Sequence, residues 1–489
     1  MTRAWILSWV LFHLMRYGCV GRVLVTNKHL CVNQVQDSIP RKRGESAPNT
    51  TEGTVFALTE AEVLKLRPLA RRLHSLMIVD NFLTWTFLLA VREADLPLKL
   101  RRAYISQVPR LWRWEHHHHL ILTPYLRDLH VTLLFGPTWP AIFKSFANLA
   151  PNIEFLTLGG VGVLDSRFPV IDEHTLHSIT ALLQLKSLRL PPIPGALLMK
   201  LLPKLALLSK LEALYLEDER GDGQLEWTPF IGFPALRSLE WGHSITSLPH
   251  LFQSIRSPNF SSLHISHCGL SLSSVLRDVL LCMTKLYGST LTSFIYRVLS
   301  LWSLDHNVIR TPHHLITIDA LRPLLDCQNL TTLELTSYTG VRLLPDDIQR
   351  ICGSLSKLRR FQAATDITDG AGNPLLTTID LQPFARLPDL ERLFIQFDGS
   401  NITTNELEGI LESTSRLQYF DVANSVPPAS PRAFVSAMKR MFPQLESLSY
   451  DTATDSTESE LSDSGRFEDI QKPSIWDKVA SMLKRKRRT

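Results

Sequence analysis

The run His116-His117-His118-His119, preceded by Glu115, is the densest concentration of metal-ligating side chains in the sequence. Imidazole nitrogens bind zinc and related ions, yet consecutive side chains on a strand point to opposite faces, so at most two could converge on one ion. Glu115 is the single carboxylate at ligand spacing, and no thiol lies near. With Trp112 and Trp114 beside it, the run reads as an exposed loop. His174 and His177 are spaced for one helix face, as a solvated surface pair also is. Gly159-Gly160-Val161-Gly162 lacks the spacing and the downstream acid of a dinucleotide-binding loop and reads as a turn. The six cysteines form no CxxC pair, and no phosphate-binding loop, GxSxG elbow or HExxH helix is present. A metal-dependent enzyme is therefore disfavoured: no catalytic residue, no metal and no cofactor are expected.

The elements that would position any site follow from a repeat, apolar-x-x-apolar-x-apolar, which recurs twelve times from Leu126, Leu129, Val131 to Leu445, Leu448, Tyr450. Such triplets arise by chance in a chain that is 44% hydrophobic, so two further features decide. First positions are 24 to 39 residues apart, near the period of leucine-rich repeats. The residue two before the first position is Pro in six copies (124, 151, 234, 258, 388, 443) and Ser in four (209, 289, 356, 415). Proline, lacking a donor, is expected to end a convex helix just before each strand. Helices are expected over Asp172 to Leu183, with Leu176, Ile179 and Leu183 inward; over Thr403 to Ser413, opening on a Thr403/Glu406 capping box; and from an N-cap at Ser430 with Pro431 first. The Asn or Cys that usually follows the strand occurs only at Cys268, so the backbone turns need other partners and an irregular array is expected. The 39-residue interval from Leu291 to Leu330 predicts an insertion exposing loops such as Asp305 to His314.

Within each strand the residue between the second and third apolar positions points away from the core. In order these are His130, Thr157, Arg189, Tyr215, Glu240, His264, Ile295, Glu334, Gln362, Phe394, Asp421 and Ser449. Aromatic and charged side chains on a rigid surface are typical protein anchors. Tyr215, Glu240, His264, Glu334, Phe394 and Asp421 are the candidate partner-binding residues of the concave face. Their mixed signs exclude a uniformly basic nucleic-acid groove.

The flanks differ in kind. Residues 4–15 are apolar after Arg3, the size of a signal-peptide core and too short to span a bilayer, but Arg16 follows with no small-x-small cleavage site. A short buried helix, or a start that is not the native one, is expected instead. Residues 1–58 are read as an unassigned segment and linker, and 59–120 as a helical N-terminal cap. Residues 121–450 are the repeats. Residues 451–489 are an acidic Ser/Thr-rich disordered tail with a basic C-terminal helix; Asp451 to Asp469 carries seven acidic residues and one basic. The run Lys484, Arg485, Lys486, Arg487, Arg488 is a candidate nuclear import signal or a solvated end; the amphipathic segment beside it, with Trp476, would also suit a membrane surface, a reading not favoured. The fold class expected is thus α/β, an irregular leucine-rich-repeat solenoid.

Three stretches carry a family resemblance: Ala70-Arg-Arg-Leu-His-Ser-Leu76; Val108-Pro109-Arg110-Leu111 with Trp114; and Leu122-x-Pro124-x-Leu126-x-x-Leu129. Residues 60 to 450 resemble the repeat region of F-box/leucine-rich-repeat proteins of mushroom-forming fungi. The resemblance implies a ubiquitin-ligase receptor whose repeats hold a substrate protein while an F-box docks on a Skp-type linker. Residues 1 to 60 contain no Leu-Pro-x-Glu-like opening of an F-box, so linker docking is not expected of this chain. The expected partner is a protein held on the concave face, with no nucleic acid and no membrane, in the cytoplasm or nucleus. The absence of disulfide-rich caps points to a reducing compartment. The alternative is a secreted or cell-surface repeat protein, for which the sequons at Asn49, Asn259, Asn329 and Asn401 would be glycosylated.

Overall fold

The computed structural model describes residues 25–26, 29–31, 74–79, 98–106, 121–133, 145–160, 178–216, 227–267, 272–298, 312–337, 339–364, 376–400, 402, 409–410, 413–423, 425–450 and 474–484. They divide into two compact units, Met1–Leu216 and Glu217–Thr489. Each is a stack of leucine-rich repeats.

In the first unit, strands β1 (Val25–Thr26), β2 (His29–Cys31), β3 (Ser75–Val79), β4 (Arg102–Ser106), β5 (Asp128–Leu133), β6 (Phe155–Gly160), β7 (Ser187–Leu190) and β8 (Ala213–Leu216) lie side by side in chain order. Only the β1–β2 pair of these is antiparallel. The second unit contains β9 (Ser238–Trp241), β10 (Ser262–His267), β11 (Ser293–Val298), β12 (Ile316–Thr317), β13 (Thr332–Ser337), β14 (Val341–Arg342), β15 (Arg360–Ala364), β16 (Arg392–Ile395), β17 (Tyr419–Asp421) and β18 (Ser447–Ser449). Its main sheet is parallel in chain order, while β12, inside the 39-residue interval, pairs separately with β14 of the next interval. Residues 305–311 of that interval lie outside the described residues, as do the histidine run, 451–473 and the capping box at Thr403.

The twelve triplets are the core. In eleven copies all three positions are buried; in the last, Leu448 is buried while Leu445 and Tyr450 are half-exposed. Burying one such side chain contributes about 1.5–3 kcal/mol, and only stacked neighbours supply the burial.

The prolines act differently from the expectation. Leu126 N–H donates to the Thr123 carbonyl (3.0 Å), Ile153 to Ala150 (3.3 Å) and Leu445 to Phe442 (3.1 Å). Proline is therefore the second residue of a β-turn whose closing bond delivers the first motif leucine, a place its fixed φ suits and where serine substitutes. The next two amides both donate to one carbonyl of the preceding repeat, as Arg127 and Asp128 do to Arg101 (2.9 and 3.0 Å).

The missing ladder after the strands is replaced by one before them. Hydroxyls of Ser261, Thr292 and Thr331 donate to the carbonyls of Arg237, Ser261 and Thr292 (3.4, 3.1 and 2.9 Å). Asn152 and Asn329 side-chain amides donate to the Pro124 and Ser289 carbonyls (2.8 and 2.7 Å).

Three boundaries need correction. The 59–120 segment contributes strands β3 and β4, extending the sheet upstream of residue 121, because Leu76, Ala103 and Ile105 alternate inward and are buried. Leu183 is 69% exposed in a turn, whereas Ile179 and Leu182 are buried. Gly159 and Gly160 are strand residues of β6, paired with Thr132 and Leu133. By contrast, the helix Pro431–Met441 starts where expected, with Ser430 Oγ accepting the Ala433 N–H (3.4 Å).

The C-terminal helix Ile475–Lys484 packs on the helix Pro431–Met441 and on β18. Ser474 and Asp477 form a reciprocal cap: Ser474 N–H donates to Asp477 Oδ2 (2.8 Å) and Asp477 N–H to Ser474 Oγ (3.2 Å). Trp476 is buried edge-on against Phe434 and Phe397 (5.5 and 6.3 Å), and Val479 is fully buried. Of the apolar stripe that suited a membrane surface, Trp476 and Val479 are buried on the protein's own repeats, Met482 and Leu483 are half-buried and Ile475 is exposed.

Candidate functional site

Parallel in-register pairing places the outward residues of successive strands directly beside one another, at the ~4.8 Å strand spacing. In the first unit the pairing runs Tyr104, His130, Thr157, Arg189, Tyr215. In the second it runs Glu240, His264, Ile295, Glu334, Gln362, Phe394, Asp421, Ser449. The sequence order of the outward residues is thus their order in space within each unit. All are half-buried except Ser449, which is exposed, and each stands between core residues that fix its direction.

Tyr215 carries the Arg189 guanidinium over its ring (5.5 Å), a cation–π contact that fixes both. Four rungs from Tyr215, Tyr104 donates to Asp128 Oδ2 (3.2 Å), and its ring lies 6.0 Å from that of His130. Burial raises the Asp128 carboxyl above the usual carboxylate range, against the Tyr104 hydrogen bond and the charges of Arg102 and His130. Burial also lowers His130; Arg189 adds to that and Asp128 opposes it. These groups form a desolvated polar patch.

In the second unit, His264 Nδ1 lies 3.5 Å from Glu240 Oε1, so these two candidates form a pair, while His264 Nε2 is buried without a hydrogen-bond partner. Glu334, Phe394 and Asp421 line one open groove of about 420 Å³. Glu334 Oε2 is held by Arg297 Nη2 (3.1 Å), and Asp421 Oδ1 accepts the Ala423 N–H (2.8 Å) in the turn after β17. Gln362 on the intervening rung donates to Thr336 Oγ1 (3.0 Å).

Sequence reasoning missed Arg360, Arg392 and Tyr419, which line the same groove. They stand one residue before the second apolar position, which the same two-residue alternation also turns outward. Arg392 lies over the Tyr419 ring (5.2 Å). The candidate localisation run is described only at Lys484, exposed at the end of its helix; 485–488 lie outside the described residues. Burial pushes the Cys327 and Cys352 thiols up to about 11 and about 12, so both stay protonated at neutral pH and are poor nucleophiles. Among the described residues no cluster of three metal-ligating side chains occurs, and no helix is long and apolar enough to cross a membrane.

No family model matches the chain, and no curated protein matches it. Among solved structures, the Rad7–Elc1 complex of yeast is similar over 68% of this chain and 77% of that one, at 15% identity and a TM-score of 0.39. The leucine-rich repeat-containing protein LegL7 from Legionella pneumophila is similar over 71% and 89%, at 13% identity and a TM-score of 0.32. Such values carry no argument about function; the fold rests on the register and the buried triplets themselves.

Proposed function

We propose that this chain is a protein-binding scaffold that receives its partner on the outward face of its strands. The observation that carries this reading is the ladder of aromatic and charged side chains, half-buried and fixed by their neighbours. Side chains already ordered lose little entropy when a partner docks, and Tyr and Arg are the residue types that dominate such contacts. Tyr215, Glu240, His264, Glu334, Phe394 and Asp421 are assigned to that face. The resemblance of residues 60 to 450 to fungal F-box/leucine-rich-repeat proteins supports a finer reading, in which the bound protein is the substrate of a ubiquitin ligase in the cytoplasm or nucleus.

The test uses a photo-crosslinking amino acid placed in turn at Tyr215, Ile295 and Phe394, and at Leu207 and Arg277 away from the strands. In native cells the face positions are expected to trap one protein in common, and deletion of this chain should raise that protein's abundance. Crosslinks arising only from Leu207 or Arg277 would overturn the scaffold reading; a trapped protein of unchanged turnover would overturn the ligase reading alone.

A further inference from the structure

We infer that the groove over β15 to β18 is a subsite for an acidic segment of a partner protein, in which a carboxylate bridges Arg360 and Arg392 and a neighbouring apolar side chain rests on Phe394 and Tyr419. This deepens the scaffold reading and rests on it.

Arg360 and Arg392 occupy paired positions on adjacent strands, and both are exposed. Like charges directly opposed across strands repel. The acids lining the groove form no ion pair with either arginine: Glu334 is held by Arg297, and Asp421 is turned to the Ala423 amide. Glu391, the residue before β16, lies 4.0 Å from Arg359 instead. A carboxylate placed between the two guanidiniums removes the repulsion and can accept bidentate hydrogen bonds from either fork.

The neighbours define the rest of the occupant. Tyr419 pairs with Arg392 and is 46% exposed, with its ring already under the guanidinium. Phe394 stands between Gln362 and Asp421 on the adjoining ladder. Cations beside aromatic surface suit an acidic residue flanked by a leucine or an aromatic. A nucleic-acid backbone would need a continuous basic track. Here the positive charge is confined to two rungs, with carboxylates on either side. From β15 to β18 is three strand spacings, about 14 Å, the length of about four extended residues.

The experiment selects displayed random dodecapeptides on the full chain, on Arg360→Glu/Arg392→Glu, and on Arg277→Glu as a charge-reversal control outside the groove. Peptides from the unaltered chain and the control are expected to carry Asp or Glu within two residues of an aromatic or leucine. A synthetic copy should bind the double variant at least ten-fold more weakly, and its Asn/Gln counterpart should lose binding to the same degree. If charge reversal disturbs folding, read by circular dichroism, Arg360→Gln/Arg392→Gln replaces it. No selection, selection without acidic residues, or equal binding to the double variant overturns the inference. Those results leave the crosslinking test of the scaffold intact.

Discussion

A single motif leucine shows how much each residue contributes. Leu214 is fully buried in β8, beside Leu188 of β7, and that repeat cannot close over a vacancy without shifting its own leucines. Leu214→Ala is expected to cost about 2–5 kcal/mol. Urea unfolding of the purified chain measures it, and a change under about 0.5 kcal/mol would mean the register is wrong. Asn329 makes a different point. Its amide donates to the Ser289 carbonyl (2.7 Å) and its Oδ1 accepts from Lys357 Nζ (2.6 Å), so a glycan there would break the ladder before the strands. Mass spectrometry of protein from its native source is expected to find Asn329 unmodified; a glycan on it would favour the secreted alternative. The triplets were legible because their period and the turn prolines coincide. Arg360, Arg392 and Tyr419 were not, because their column, one residue before the second apolar position, is mostly Ser, Thr or Ala in the other copies and carries no recurring signal. Leu183 misled because helical spacing continues past the point where the chain turns.

Helices and strands were legible in proportion to how local their signals are. The helix from Pro431 announces itself by Ser430 and Pro431, and the structure keeps both roles. The strands β3 and β4 do not: Leu73-x-x-Leu76-x-Ile78 and Leu100-x-x-Ala103-x-Ile105 fit the repeat, but Arg71 and Leu98 stand where the turn proline or serine would be. The C-terminal helix gave its periodicity but hid its docking site, since Trp476 meets residues far away in sequence. This helix lies against β18, the last strand among the described residues, and the terminal edge is the part of a repeat array most in need of cover. Trp476→Ala should therefore cost about 3 kcal/mol in the stability of the second unit, read by urea unfolding; an unchanged midpoint would mean the helix is not docked. The contact is also expected to weaken in acid. Asp477 is held below the usual carboxylate range by the Tyr450 hydroxyl and the Ser474 amide and hydroxyl. Its contribution is full above the unfolded-state value and disappears as pH falls through the lower folded-state one. Hydrogen exchange of 475–484, corrected for intrinsic rates, should rise faster on acidification than in Asp477→Asn. Equal profiles would remove Asp477 from the contact.

At the scale of the whole molecule, a repeat array is readable because a repeat packs on its neighbours in sequence, and successive motif copies lie 24 to 39 residues apart. Function is less readable, because a receptor of the kind the sequence resembles needs two interfaces and the repeats provide one. In the proposed reading, the outward face of the strands is the interface for the partner protein. Docking on a Skp-type linker would need a second surface burying about 1,200 Å² or more, which one short helix cannot supply. Residues 1 to 60 show neither the opening motif of an F-box nor a sustained helical period, and the segment Thr59 to Leu66 is only two turns long if helical. The chain is therefore expected not to hold the linker by itself while still binding its partner through the strands. A pull-down of residues 1–489 with purified linker decides this. Micromolar or tighter binding would place a divergent F-box near the N-terminus, and mapping that contact by hydrogen exchange would show whether it lies before β3.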